Sequence, residues 1–195
     1  MLKEMLNTKA VGVYAAAVKL CETLYFIPTA LMASLFPAVV NARKKSEKIY
    51  EQRVQKLYDL MVWGSLVIAI PTTLLSNWII LIFYGTSFQE AADVLRIYIW
   101  AVVFVSIGVA SSKWLITENL QHYSFYLTTL GAIVNIGCNL WLIPSHGIKG
   151  AAIATLLAQV TVSFLGLSFF GKTRKNCLKV INSLNAYGAY KRVFH

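Results

Sequence analysis

The sequence has few of the side chains that build catalytic and metal-binding sites. Only eight of its 195 residues are Asp or Glu, and only three are His. His122, His146 and His195 are widely separated, and the apolar segments contain no paired carboxylates on a polar loop, no Ser/His/Asp set and no metal-ligand cluster. We therefore expect no enzyme activity, no metal site and no bound cofactor.

Cysteine is also scarce. Cys21, Cys138 and Cys177 show neither metal-ligand spacing nor the pattern of a disulfide framework. A cleavable signal peptide is missing as well, because residues 1–9 are polar and the apolar run that follows is too long for a signal core. These absences argue against a zinc-stabilised domain and against a disulfide-rich secreted domain.

Charged residues make up only 13% of the chain, whereas 57% of the residues are hydrophobic and the mean hydropathy is +0.61. The apolar residues occur in blocks of about 20, the length that a helix needs to cross a hydrocarbon core roughly 30 Å thick. They do not alternate with the short periods of soluble helices and strands. The sequence therefore predicts an all-α, polytopic integral membrane protein in a lipid bilayer.

The net charge of +10 is compatible with nucleic-acid binding as well as with a membrane protein. The cations, however, cluster just outside the apolar blocks, above all in residues 41–56 and in the tail after residue 171. Cytoplasmic loops of membrane proteins carry such an excess of Lys and Arg. We therefore place both segments in the cytoplasm and expect no nucleic-acid partner.

Five membrane-spanning helices are predicted, over residues 11–40, 57–84, 94–112, 123–143 and 149–170. They form a transmembrane lobe over residues 10–171, between a polar lead at 1–9 and a basic cytoplasmic tail at 172–195. Five spans put the two chain ends on opposite sides, so the N-terminus lies outside. Because that lead would have to be translocated by itself, we expect that a preceding helix is missing and that the chain is a fragment or a truncated reading frame.

The first span contains two charged residues, Lys19 and Glu22, which are three apart and lie on neighbouring positions of one helix face. A charge near the centre of a membrane helix costs about 2.5 to 3.5 kcal/mol on insertion scales, so such residues usually face a bundle interior or a wet cavity. Two interpretations stay open and are compatible. The pair forms a salt bridge that holds the lobe together, or it takes part in transport.

Three prolines lie within the predicted spans. Pro28, Pro37 and Pro71 each lack a backbone donor and tend to kink a helix. They are candidate hinges, although a fixed kink that improves packing explains them equally well.

Later spans carry isolated polar residues. Asn135 and Asn139 are four apart and share one helix face, where they either form interhelical hydrogen bonds or line a polar cavity. Asp59, near the cytoplasmic start of the second span, is predicted to lie at the membrane interface.

Two segments carry a family resemblance. Residues 12–44, GVYAAAVKLCETLYFIPTALMASLFPAVVNARK, resemble the first helix after the midpoint helix of bacterial Wzx-type polysaccharide flippases, members of the multidrug/oligosaccharidyl-lipid/polysaccharide exporter superfamily. Residues 118–159, ENLQHYSFYLTTLGAIVNIGCNLWLIPSHGIKGAAIATLLAQ, resemble the late-helix signature of the same transporters. The likeness extends to about residue 175. Relatives have about twelve helices in two lobes, so this chain resembles most of the C-terminal lobe of a MATE-like transporter.

The resemblance implies flipping of an undecaprenyl-pyrophosphate-linked oligosaccharide across the bacterial inner membrane, for O-antigen, capsule or another surface polysaccharide. Lys19 then becomes the first candidate to bind the pyrophosphate and Lys113 the second, with Asn135 and Asn139 as further substrate-binding candidates. Glu22 is the candidate for coupling to H+ or Na+. Implied partners are the lipid-linked oligosaccharide, a separately encoded N-terminal lobe, and polysaccharide polymerase and chain-length machinery.

Two alternatives remain. A cation-coupled multidrug exporter of the same superfamily would share the fold but have an acidic, aromatic cavity. A non-transporting scaffold subunit of polysaccharide assembly would bind partners without moving substrate. Because transport by two-lobed proteins is expected to involve rocking of one lobe against the other, we expect the chain alone to be inactive.

Overall fold

The computed structural model describes residues 1–169, 171, 173–185, 188–189 and 192. Their helices are α1 (Leu2–Met5), α2 (Thr8–Leu24), α3 (Phe26–Lys45), α4 (Glu47–Leu74), α5 (Ser76–Tyr84), α6 (Ala91–Tyr98), α7 (Ala101–Thr117), α8 (His122–Val160), α9 (Gly166–Phe169) and α10 (Arg174–Ser183). A short 3-10 turn, Thr86–Phe88, precedes α6, and a π-helical turn, Thr161–Leu165, follows α8. No strand occurs in this part of the chain, so the predicted all-α class is confirmed.

The helices α2 and α3 form one long apolar stretch, Thr8–Lys45, of 38 residues. The helix is interrupted at Tyr25. Pro28 has no N–H to donate to the carbonyl of Leu24, which explains a break in this turn. A straight helix of this length would extend about 57 Å, well beyond a hydrocarbon core.

By length and composition, four helical stretches of the described residues could cross a membrane: Thr8–Lys45, Glu47–Leu74, Ala91–Thr117 and His122–Phe164. They support the polytopic membrane class that the sequence predicts. The predicted spans 123–143 and 149–170 fall together in the last of these stretches, with residue 170 outside the described residues. Where each segment enters and leaves the bilayer stays a prediction.

The last stretch reverses direction at Gly147. This residue has φ 59° and ψ −136°, a backbone conformation that glycine adopts without a side-chain clash. Two contacts across the turn show the reversal: Asn135 donates to Thr155, and Gly131 packs against Val162. In a straight helix Gly131 and Val162 would be about 46 Å apart. The two limbs of α8 therefore run antiparallel as a helical hairpin.

The helix α7 lies at the centre of the lobe, in contact with α3, α4 and α8. In the stretch Ala91–Thr117, formed by α6 and α7, 61% of the most apolar 18 residues are buried, against 17% in the stretch formed by α2 and α3. The stretch formed by α2 and α3 is therefore peripheral, and much of its apolar surface is free to contact lipid or another part of the protein.

The described part of the predicted tail is packed against the lobe. The helix α10 contacts α4, α7 and α9, and five of its residues are buried: Asn176, Cys177, Lys179, Val180 and Ser183. The indole of Trp63 on α4 donates to the carbonyl of Ser183 at 3.1 Å. The end of the tail, including His195, lies outside the described residues.

Candidate functional site

Lys19 and Glu22 lie on the peripheral helix α2, and both side chains are exposed. The ion pairs found among the described residues do not join them. The hydrocarbon core of a membrane cannot solvate two separate charges without a large cost in free energy, and both residues lie within a predicted span. This face of α2 therefore needs water or another part of the protein against it.

Tyr14, Tyr25 and Tyr98 form a cluster near Glu22 that the sequence does not predict. The rings of Tyr14 and Tyr98 meet edge to face with centroids 6.2 Å apart, which joins α2 to α6. Tyr25 and Tyr98 are neighbours, and Glu22 is close enough to interact electrostatically with all three hydroxyls. Tyr14 lies eight residues before Glu22 and Tyr25 three residues after it, but Tyr98 is distant in sequence, so no local pattern predicts the cluster.

Asn135 and Asn139 form a chain of hydrogen bonds. The amide of Asn139 donates to the side-chain oxygen of Asn135 at 2.9 Å, and the amide of Asn135 donates to the hydroxyl of Thr155 at 3.4 Å. The Thr155 hydroxyl also lies 3.5 Å from that of Tyr14. The pair thus links the two limbs of α8, and Thr155 extends the network to α2. Interhelical hydrogen bonding, one of the two predicted roles, describes this geometry.

Lys113 is half-buried near the end of α7, with its ammonium 5.4 Å above the ring of Phe36 on α3. A cation over an aromatic face is stabilised by the ring quadrupole. Lys19 lies on α2, which is not among the helices that pack extensively against α7 in the described lobe. The two candidate pyrophosphate ligands are therefore not brought together within the described lobe.

The three candidate hinge prolines occupy different positions. Pro28 lies in the first turn of α3, just after the interruption at Tyr25, and is buried. Pro37 and Pro71 lie inside α3 and α4, which continue through them. Whether any of them moves stays a prediction.

An ion-paired cluster closes the end of the lobe at the predicted cytoplasmic side. Arg43 donates to both carboxylate oxygens of Glu118, at 2.9 and 3.1 Å, and also to the carbonyl of Thr117. The buried hydroxyl of Tyr50 donates to the same carboxylate at 2.7 Å. The planar guanidinium of an arginine can donate two hydrogen bonds to one carboxylate, as it does here. The cluster ties α3 and α4 to the connection between α7 and α8.

A second charged cluster anchors α10 to α4. Asp59, which was expected at the membrane interface, is fully buried and accepts two hydrogen bonds from Arg192, at 2.8 and 3.1 Å. Lys179 pairs with Glu51, which lies about two helical turns before Asp59 on α4. Burial lowers the pKa of Lys179 from its ordinary value, and the hydrogen bond to Asp59 raises that of Arg192. Asp59 thus joins α4 to the tail.

The described residues offer no metal site. No group of three or more His, Cys, Asp or Glu side chains comes together in this part of the chain. The charged and polar side chains instead form ion pairs, hydrogen-bonded chains and an aromatic cluster. Such an arrangement can bind or gate.

The sequence profile of the MatE family matches residues 1–141. The chain belongs to the MatE family. The predicted relationship to the multidrug/oligosaccharidyl-lipid/polysaccharide exporters is thereby confirmed. All the candidate site residues and hinges lie within the matched range, while Thr155 and the docked helix α10 lie beyond it.

Three curated relatives align with most of this MatE chain. The probable low-salt glycan biosynthesis flippase Agl15 of Haloferax volcanii is 27% identical, over 78% of this chain and 33% of the relative. The probable flippase AglR of the same organism is 29% identical, over 83% of this chain and 34% of the relative. The uncharacterized membrane protein MJ1375 of Methanocaldococcus jannaschii is 24% identical, over 86% of this chain and 39% of the relative. The chain therefore spans roughly a third of the length of the relatives it matches. No solved structure matches it significantly.

The chain is thus a multi-pass membrane protein of the MatE family, and two of its relatives are named flippases.

Proposed function

We propose that this chain is part of a flippase that moves an undecaprenyl-pyrophosphate-linked oligosaccharide from the cytoplasmic to the periplasmic leaflet of a bacterial cytoplasmic membrane. The observation that carries the proposal is the exposure of Lys19 on a helix long and apolar enough to span the membrane. A lipid-linked substrate keeps its acyl tail in the bilayer but needs a wet, cationic path for its pyrophosphate and sugars. An exposed lysine beside an apolar surface meets that need.

In this proposal each candidate residue has a role. Lys19 binds the pyrophosphate, Lys113 attracts it near the cytoplasmic mouth, and Asn135 and Asn139 contribute hydrogen bonds. Glu22 takes up H+ or Na+ and couples transport to a gradient. The absence of a described ion pair between Lys19 and Glu22 supports separate roles for the two charges.

The remainder of the transporter is a further part of the proposal. The chain covers about a third of its curated relatives, so a second lobe would complete the cleft against the exposed face of α2. Polysaccharide polymerase and chain-length machinery are the proposed recipients of the flipped unit. The basic segments 41–56 and 172–195 support a cytoplasmic C-terminus.

The test uses sealed vesicles that contain this chain with and without a co-expressed N-terminal lobe. One follows how fast a lipid-linked oligosaccharide becomes accessible to an impermeant sugar-oxidising reagent. We expect movement with both halves and none with this chain alone. No movement in either sample, despite confirmed insertion and pairing of the lobes, would overturn the proposal.

One observation favours a second candidate function, the cation-coupled drug exporter. The half-buried Tyr14 and Tyr25 and the exposed Glu22 lie in one cluster with the buried Tyr98, an aromatic and acidic combination that suits an amphipathic cation. The same vesicles distinguish the two candidates. Gradient-driven uptake of a lipophilic cationic dye, without movement of the lipid-linked oligosaccharide, would select the exporter.

A further inference from the structure

A groove of about 260 Å³ lies between α7, the start of α8 and the π-helical turn after α8. Apolar side chains and six polar ones line the groove, and none of the lining residues is charged. The polar ones are Ser111, Ser112, Ser124, Thr128, Gln159 and Ser163. Pockets for drug-sized ligands usually measure roughly 300 to 1,000 Å³, so this groove suits a smaller unit.

Three of these polar groups already have partners within the protein. The Ser111 hydroxyl lies 2.9 Å from that of Tyr58, Ser163 donates to the carbonyl of Phe104, and Thr128 donates to that of Ser124. The side chains of Ser112, Ser124 and Gln159 form no hydrogen bond with another described residue.

Unpartnered polar side chains are costly at membrane depth. Serine and glutamine in membrane helices normally bond to a neighbouring helix, because hydrocarbon offers no partner. Gln159 is half-buried and brings both a donor and an acceptor to the groove. Gln159 and the two serine hydroxyls are uncharged groups that both donate and accept hydrogen bonds. They therefore complement the hydroxyls of a sugar, and not the charge of a phosphate or an ammonium ion.

The position of the groove fits the loading side of a flippase. Ser112 and Ser124 flank the connection that contains Glu118, and Glu118 pairs with Arg43 from the basic run predicted to be cytoplasmic. Gln159 lies one helical turn from Thr155, whose hydroxyl accepts from the hydrogen-bonded pair Asn135 and Asn139.

We propose that this groove, with Gln159, Ser112 and Ser124 as its hydrogen-bonding groups, binds one sugar ring of the lipid-linked oligosaccharide. The inference rests on the proposed function and adds to it a saccharide site that contains none of the candidate pyrophosphate ligands. Because the groove is uncharged, it distinguishes a glycosylated lipid from the same lipid without sugar.

The test measures equilibrium binding to the full chain in nanodiscs. The probes are undecaprenyl pyrophosphate, and the same lipid carrying one glucose or one N-acetylglucosamine. We compare the wild type with Gln159→Leu, which removes the amide at similar size, and with Ser112→Ala, which removes one oxygen. The matched control is Gln89→Leu, the same chemical change at an exposed residue outside the groove.

We expect the wild type to bind a glycosylated lipid more tightly than the bare one. Gln159→Leu should weaken binding of the glycosylated lipid about 5- to 10-fold, as the loss of one or two hydrogen bonds implies, and leave binding of the bare lipid unchanged. Ser112→Ala should have a smaller effect of the same kind, and Gln89→Leu none.

Three results would contradict the inference. Equal affinity of the wild type for all three lipids would overturn the sugar site while leaving the proposed function in place. Parallel loss of both affinities in Gln159→Leu would assign Gln159 a structural role and also overturn it. Failure of the wild type to bind any of the lipids would count against the proposed function as well.

Discussion

Arg192 donates two hydrogen bonds to Asp59, a carboxylate that is fully buried on α4. The guanidinium itself is one third exposed, with 34% of its side-chain surface accessible. The pair therefore joins the tail to the membrane lobe from the surface side. Removing the cation would leave the buried carboxylate without its charge partner.

We predict that Arg192→Ala releases α10 from α4. Loss of one partner from a fully buried pair costs about 3 to 5 kcal/mol, and the partial exposure of Arg192 reduces this to about 1 to 3 kcal/mol. Hydrogen exchange of the amides in α10 should quicken accordingly. Adding Asp59→Asn to Arg192→Ala should restore part of the protection, because the buried charge is then gone. Unchanged exchange in Arg192→Ala would show that apolar packing alone holds α10.

A second prediction concerns the cluster of Arg43, Tyr50 and Glu118. Glu118→Gln removes the charge that accepts from both partners, and we expect a loss of about 1.5 to 3 kcal/mol of stability. For a protein of this size that corresponds to a fall in Tm of roughly 3 to 10 °C, measured by thermal unfolding in detergent. The control is Glu90→Gln, at an exposed residue that makes no described ion pair. Equal Tm values for the two variants would contradict a stabilising role.

These clusters also separate the features that the sequence predicts from those that depend on the fold. The apolar blocks predict the helices and the membrane, because hydrophobicity and length are local properties of the chain. The ion pairs join residues 133 and 75 positions apart, and nothing near Asp59 or Glu118 in the sequence indicates the partner. From the sequence alone, Arg192 is therefore interpreted as one of several solvated cations in the tail. In the structure it lies against α4.

The candidate site divides in the same way. Lys19 and Glu22 stand out in the sequence because charge within an apolar run is costly, and Asn135 and Asn139 because their spacing matches a helix turn. The tyrosine cluster and the groove at Gln159 depend on contacts between α2 and α6 and between α7 and α8, which a single sequence does not specify.

Lys19 provides the third prediction. In the complete transporter, Lys19→Ala should abolish export without lowering the amount of membrane-inserted protein, because the side chain is exposed and makes no described ion pair. Lys19→Arg should retain some export, since it keeps the charge. The measurements are the oxidation assay in vesicles and quantification of inserted protein. A parallel loss of protein and export would instead assign Lys19 to the stability of the lobe.

The fourth prediction separates the two roles of the asparagine pair. Asn139→Leu removes the hydrogen bond to Asn135, which should cost about 0.6 kcal/mol and at most about 1.7 kcal/mol, the range for such bonds in membranes. If the pair only links helices, export should fall in proportion to the folded fraction. A larger fall in export at an unchanged folded fraction would indicate that the pair also contacts the substrate.

The hairpin of α8 depends on a close approach that only glycine permits. A Cβ on Gly131 would lie 2.5 Å from Cγ2 of Val162, a distance that forces one limb or the side chain to move. We predict that Gly131→Ala destabilises the protein by about 1 to 3 kcal/mol, as overpacking usually does. The matched control is Gly137→Ala on the same limb, where a Cβ would have no neighbour within 4 Å. That change should be neutral or stabilising, because alanine favours the helix.

Adding Val162→Ala should restore most of the stability of Gly131→Ala, since it removes the clashing methyl group. Equal stability of Gly131→Ala and Gly137→Ala would mean that the two limbs do not meet at this point, and the antiparallel reversal at Gly147 would then be wrong.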